Sequence, residues 1–243
     1  MSQLKVEKAY CGEIPLYIVY PIRETKRSVI FYHGWSSEAK CQLSRAYLLA
    51  VQGYTVYLPD AVCHGERDRL EDYYTMKAYP VFWKTIIQNI KEFPTLYSYI
   101  KNEGKDQPFL MGHSMGGMSV MGIAAAYPDL SKGIVSFNGS GDWLLTHVFL
   151  QARFGVYMGE NRDFCTMLKE FSPINQAEKM AKLPMLLTNG ESDESIDLRA
   201  QEHFFESMKK YNSSIQRITY PKLGHFVTTN MMDDAISWME SVR

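Results

Sequence analysis

Apolar runs of strand length recur along the chain, at roughly residues 4–10, 14–20, 28–32, 54–58, 107–111, 133–137, 184–189 and 215–220. The first two flank Gly12 and read as an antiparallel hairpin. From residue 28 onward the runs alternate with stretches of helical periodicity. Parallel neighbours need a long crossover, and a helix is the usual one. The alternation therefore predicts an α/β fold: a mostly parallel sheet of about eight strands with helices on both faces.

Helices are expected over 39–52, stopped by Gly53, and over 79–102, where Pro94 is predicted to kink or split the element. Three more are expected over 115–126, ended by Pro128, and over 197–211 and 231–242. The segment 139–183 breaks the rhythm and is rich in aromatics. A structureless loop of that length is disfavoured in a compact chain. Short helices over one end of the sheet, a small lid-like insertion, are the expectation. With no repeat, linker or low-complexity tract, one domain over 1–243 is the economical reading.

Composition narrows the function classes. Hydrophobic residues make up 46% and charged residues 22%, the balance of a folded globular chain. The formal net charge of −1 gives no basic excess for nucleic acid. No stretch approaches the ~18 apolar residues of a membrane helix, and the first residues hold no apolar run fit for a signal peptide. The cysteines Cys11, Cys41, Cys63 and Cys165 are scattered, with no CxxC, so neither a metal site nor a disulfide frame is signalled. A cytoplasmic protein with reduced thiols is the expectation. The Asn138-Gly-Ser and Asn212-Ser-Ser sequons are read as chance.

The chemistry centres on "FLMGHSMGGMSV", residues 109–120. A buried strand turns directly into a helix, and Gly112 and Gly116 flank Ser114. This is the nucleophile-elbow pattern: the glycines give room for a strained turn that displays the serine at a helix N-terminus. The bland alternative is a buried serine in a tight corner. Gly117 is assigned to packing of the helix on the sheet, and His113 to a wall or support role.

A serine hydroxyl needs a base within reach. In this arrangement the partners follow in the order Ser, acid, His. His225, in "KLGHFV" just past the last strand, is the expected base, whereas His203 sits in a helical pattern. The acid belongs to "NGESDESIDLRA". Asp193 is chosen, with Glu194 and Asp197 in reserve, Asp197 also fitting a helix N-cap. The oxyanion donors are expected to be the backbone N–H groups of Met115 and of Trp35, the latter in the His33-Gly34-Trp35 loop. Ser36 or Ser37 is a candidate cap for the helix that follows. Pocket candidates are Trp35, His113, Trp143, Phe149, Phe154 and Tyr157, although aromatics at helical spacing are more often core.

With these residues in place, the chain resembles the α/β-hydrolase superfamily over nearly its whole length. The matches are HGW at 33–35, GHSMGG at 112–117, G-x-x-D at 190–193 and GH at 224–225. The stretch "LPDAVCHGERD" adds a D-x-x-x-H-G-x-R pattern. It is similar to that of small dienelactone-hydrolase-like and prolyl-oligopeptidase-like serine esterases, where Asp60, His64, Gly65 and Arg67 would shape the loop beside the site. The resemblance implies a Ser-His-Asp hydrolase without cofactor or metal, acting on small to medium carboxylic esters. Two departures stand out: a dienelactone hydrolase proper usually carries a cysteine nucleophile, and a peptidase relative an N-terminal propeller. A small peptidase or amidase with the same triad is the alternative within enzymes. A non-catalytic binding protein of the same fold is the alternative outside them.

Overall fold

The computed structural model describes residues 4–155 and 162–242. Its eight strands are β1 (Lys5–Cys11), β2 (Ile14–Tyr20), β3 (Ser28–Tyr32), β4 (Thr55–Pro59), β5 (Phe109–His113), β6 (Gly133–Phe137), β7 (Met185–Gly190) and β8 (Ile215–Tyr220). They form one sheet in the order β1-β2-β4-β3-β5-β6-β7-β8. β1 and β2 pair antiparallel, with Cys11 opposite Ile14, and β2 pairs antiparallel with β4. Every pair from β4 through β3 to β8 is parallel. This is the fold that the alternating pattern predicts.

Strands buried on both faces read as continuous apolar runs, and β3, β4, β6 and β7 are buried at every residue. Side chains still alternate between the two faces. Ile30 joins a core with Trp83, Phe93, Met118 and Phe204, whereas Val29 and Phe31 join a core with Leu49, Met231 and Trp238. The first core thus lies under α2 (Tyr79–Asn102), α3 (Met115–Ala126) and α6 (Leu198–Met208), and the second under α1 (Leu43–Val51) and α7 (Thr229–Ser241).

Two helical expectations are corrected. Over 39–52 a 3-10 turn, Ala39–Gln42, precedes α1. And α2 runs unsplit through Pro94. The proline removes one backbone donor, but Ile90, Phe93, Leu96 and Ile100 stay buried along a single face. That packing holds the two halves together.

The 139–183 segment does form short helices: α4 (Trp143–Phe154), α5 (Arg162–Phe171) and a 3-10 stretch, Pro173–Met180. Among the described residues, no helix is long and apolar enough to cross a membrane. Asn138 and Asn212, the two sequon asparagines, are both buried.

Candidate active site

Ser114 is the single residue between β5 and α3, with φ 57° and ψ −116°. Positive φ is a strained conformation for a non-glycine residue. Two backbone bonds enforce it: the Ser114 N–H donates to the Phe137 carbonyl at 2.8 Å, and its carbonyl accepts from Met118 at 2.9 Å. The flanking glycines are obligatory. A Cβ at Gly112 would lie 2.2 Å from the Gly116 carbonyl oxygen, and one at Gly116 would lie 2.2 Å from that of Tyr32.

The loop after β7 carries Asp193, whose side chain is wholly buried. Its Oδ1 accepts from the Ser195 and Ile196 N–H groups at 2.8 and 3.0 Å, and its Oδ2 lies 2.7 Å from His225 Nδ1. The carboxylate accepts from all three donors, which puts the hydrogen of His225 on Nδ1 and leaves Nε2 as an acceptor. The reserve acids lie elsewhere. Asp197 caps α6 through the Arg199 N–H at 3.0 Å, and Glu194 is exposed against Arg153. His203 lies on α6, as its pattern predicts, with its Nδ1 2.7 Å from Asp142 Oδ2.

Sequence reasoning missed Asn138. It follows β6 at φ +50°, fully buried. Its Oδ1 accepts from the Gly190 N–H and its Nδ2 donates to the Phe226 carbonyl, each at 2.9 Å. One side chain therefore ties the strand end leading to Asp193 to the loop carrying His225. Its only signal in the sequence is an asparagine directly after a strand.

Gly34 brings the loop after β3 against Ser114: a Cβ there would sit 3.4 Å from that of Ser114 and 3.2 Å from His113 Nδ1. Among the described residues, no protein acceptor takes the backbone N–H of Trp35 or of Met115. The Trp35 indole N–H is already committed, to the Tyr73 carbonyl at 2.9 Å.

The residues of the D-x-x-x-H-G-x-R stretch hold this loop. Asp60 Oδ1 accepts from the Ala39 N–H at 2.7 Å, so Asp60, not Ser36 or Ser37, supplies the cap of the 3-10 turn. His64 Nε2 accepts from the Ser36 N–H at 3.3 Å, and His33 Nε2 accepts from that of Ala61 at 3.1 Å. Burial pushes the pKa of both rings down to about 4, so both act as neutral acceptors. Gly65 has φ +54°, and a Cβ there would fall 2.3 Å from the Asp60 carboxylate. Arg67 grips both oxygens of Glu92 on α2, at 2.8 and 2.6 Å.

Ser114 and His225 border one cavity of about 280 Å³, walled by Trp35, Tyr79, Phe82, Leu150 and Ile196. Tyr74 and Met76 also border it and are largely exposed. Of the sequence-derived pocket residues, Trp35 reaches the cavity. Trp143 does not: it is fully buried in the core and donates its indole N–H to the Ser140 carbonyl at 3.1 Å. Phe149 instead packs under the Arg199 guanidinium, 4.3 Å from its ring centre. His113 lies behind the site, its ring 4.8 Å from that of His225, and burial holds its pKa at about 3. Tyr157 and the side chain of Phe154 lie outside the described residues. The missed wall is the stretch 73–82, whose signal was an aromatic cluster, "YYTMKAYPVF", at the entry to α2.

Residues 42–241 match the prolyl oligopeptidase family. The esterase YjfP of Escherichia coli is 27% identical, covering 97% of this chain and 98% of its own. TT1662 of Thermus thermophilus superposes with a TM-score of 0.77 at 18% identity, over 98% of both chains. The acylaminoacyl peptidase of Pyrococcus horikoshii gives a TM-score of 0.75 at 18% identity, over 98% of this chain and 41% of that one. The strand order, the serine turn between β5 and α3 and these matches agree: the chain belongs to the prolyl oligopeptidase family and has the α/β-hydrolase fold.

Proposed function

We propose that this protein hydrolyses small to medium carboxylic esters through an acyl-serine intermediate. One observation carries the reading. Ser114, on its strained turn, shares a cavity with His225, whose far nitrogen is held by a buried aspartate. The esterase name of the Escherichia coli relative supports the choice of substrate class.

His225 Nε2 takes the proton of the Ser114 hydroxyl as Oγ attacks the ester carbonyl. Asp193 keeps the ring in the required tautomer and stabilises the imidazolium that forms. The Trp35 and Met115 amides receive the oxyanion, aided by the N-terminus of α3. The protonated His225 gives its proton to the departing alkoxide, and the acyl group stays on Ser114. Water then enters; His225 removes its proton as the water oxygen attacks the acyl carbon, and the adduct collapses to the free acid while His225 returns the proton to Ser114 Oγ. No step calls for a cofactor.

The peptidase reading has one observation in its favour, the similarity to the acylaminoacyl peptidase. Relative turnover of matched ester and amide substrates separates the two. The first experiment is labelling with a fluorophosphonate, read by intact mass and peptide mapping. A single adduct on Ser114, absent from Ser114→Ala, is expected, with ester turnover in that variant reduced by about 10³-fold or more. Folded protein that takes no label would overturn the proposal.

A further inference from the structure

The catalytic cavity is shut at one side by a polar contact between two aromatic residues. Tyr79, the first residue of α2, lines the cavity that holds Ser114. Its hydroxyl lies 2.7 Å from Nδ1 of His147 on α4. Burial lowers the His147 pKa and lifts that of Tyr79 to about 12, so the contact joins a neutral phenol to a neutral imidazole. The His147 ring is packed from behind by Phe164, at 5.2 Å between ring centres.

Beyond that contact is open space. His147 lines a separate groove of about 820 Å³, together with Leu144, Leu145, Val148, Arg162 and His203. α4 runs between the two: Leu150 faces the cavity of Ser114, and His147 faces the groove. Tyr79, on the wall of the cavity, and His147, on the wall of the groove, thus meet between the two spaces.

We propose that the Tyr79–His147 pair is a partition that sets the acyl-chain limit of the enzyme, admitting short-chain esters and excluding long-chain ones. The inference rests on the ester-hydrolase reading. The acyl group is the part that must lodge inside, since it remains bonded to Ser114 after the alcohol has left past Tyr74 and Met76. The cavity offers about 280 Å³ to that group, against about 820 Å³ in the groove beyond the contact. Truncating Tyr79 joins the cavity to the groove.

The test is kcat/KM for p-nitrophenyl esters from acetate to laurate. Wild-type protein is expected to lose at least tenfold between butyrate and laurate. Tyr79→Ala should raise the laurate-to-butyrate ratio at least tenfold, and His147→Ala should move it the same way from the other side. Tyr79→Phe keeps the ring and should keep the wild-type ratio. Thermal melts and fluorophosphonate labelling establish that each variant is folded with a competent Ser114; if Tyr79→Ala does not fold, His147→Ala decides. An unchanged ratio in a folded, labelled truncation would overturn the partition alone, as would a wild-type rate that climbs towards laurate. A wild-type protein that labels at Ser114 yet cleaves no ester would overturn the esterase reading and the partition with it.

Discussion

Replacing Asn138 by alanine removes a side chain that bonds to both the end of β7 and the His225 loop. The Gly190 N–H and the Phe226 carbonyl both lose their partner. A buried polar group left unsatisfied costs about 1–3 kcal/mol; Gly190 is buried whereas Phe226 is largely exposed and its carbonyl can turn to water, so the loss is expected to be about 2 kcal/mol. In a chain of this size each kcal/mol moves the melting temperature by about 2–4 °C, which gives a drop of about 4–8 °C. The φ of +50° adds strain for alanine that asparagine tolerates better. Asn138→Gly separates the two contributions, because glycine relieves the strain while still losing both bonds. Activity should fall further than stability alone explains. Asp193 and His225 come from the two loops that Asn138 joins, and their 2.7 Å contact depends on the register between those loops. The assay is ester kcat and KM below the melting transition, beside a calorimetric melt. A loss confined to kcat, in both variants, is expected. Melting within 2 °C of wild type together with unchanged kcat would refute the reasoning, since the buried Gly190 N–H would then have lost its partner without consequence.

Other perturbations give equally direct outcomes. Gly116→Ala would place a Cβ 2.2 Å from the Tyr32 carbonyl oxygen and 2.7 Å from that of His33, both backbone atoms. Its cost should exceed the ~1–3 kcal/mol of ordinary overpacking, with Ser114 labelling slowed; a wild-type melt and labelling rate would contradict the close approach. His33, His64 and His113 are kept neutral by burial, their pKa values lowered from 6.5 to about 4, about 4 and about 3. Below pH 6.5 the unfolded chain takes up these protons before the folded one does. The stability they contribute is thus complete above that pH and drains as pH falls towards 4, by up to about 1.4 kcal/mol per pH unit for each ring. A melting temperature that falls between pH 7 and pH 5 is expected, and one flat over that interval would count against three neutral buried rings.

Strands and loop chemistry were readable in the sequence for a shared reason: each is written in local pattern. The apolar runs give all eight strands to within two residues, because a strand buried on both faces must be apolar along its length. Gly112 and Gly116 announce Ser114 because no other residue fits backbone approaches of 2.2 Å. Asp193 and His225 follow from chain order and from the loops that end their strands. Pro94 misled because helix propensity is local whereas the buried face of α2 is not. Trp143 and Phe149 misled in the same way, since aromatic content does not say which surface a ring meets.

The cavity is the hardest part to read because it is made where packing stops. Its walls come from four separated places: the loop after β3, the entry to α2, α4 and the loop after Asp193. None has a motif for facing the others. Trp35 was legible only because it adjoins Gly34, whose approach to Ser114 is itself a motif. Tyr79 and His147 lie 68 residues apart, and their contact exists only once α4 has folded back over the sheet. In this architecture the candidate reacting groups can therefore be read from short motifs, while the proposed limit on the substrate rests on a long-range pair whose members each look like ordinary helical residues.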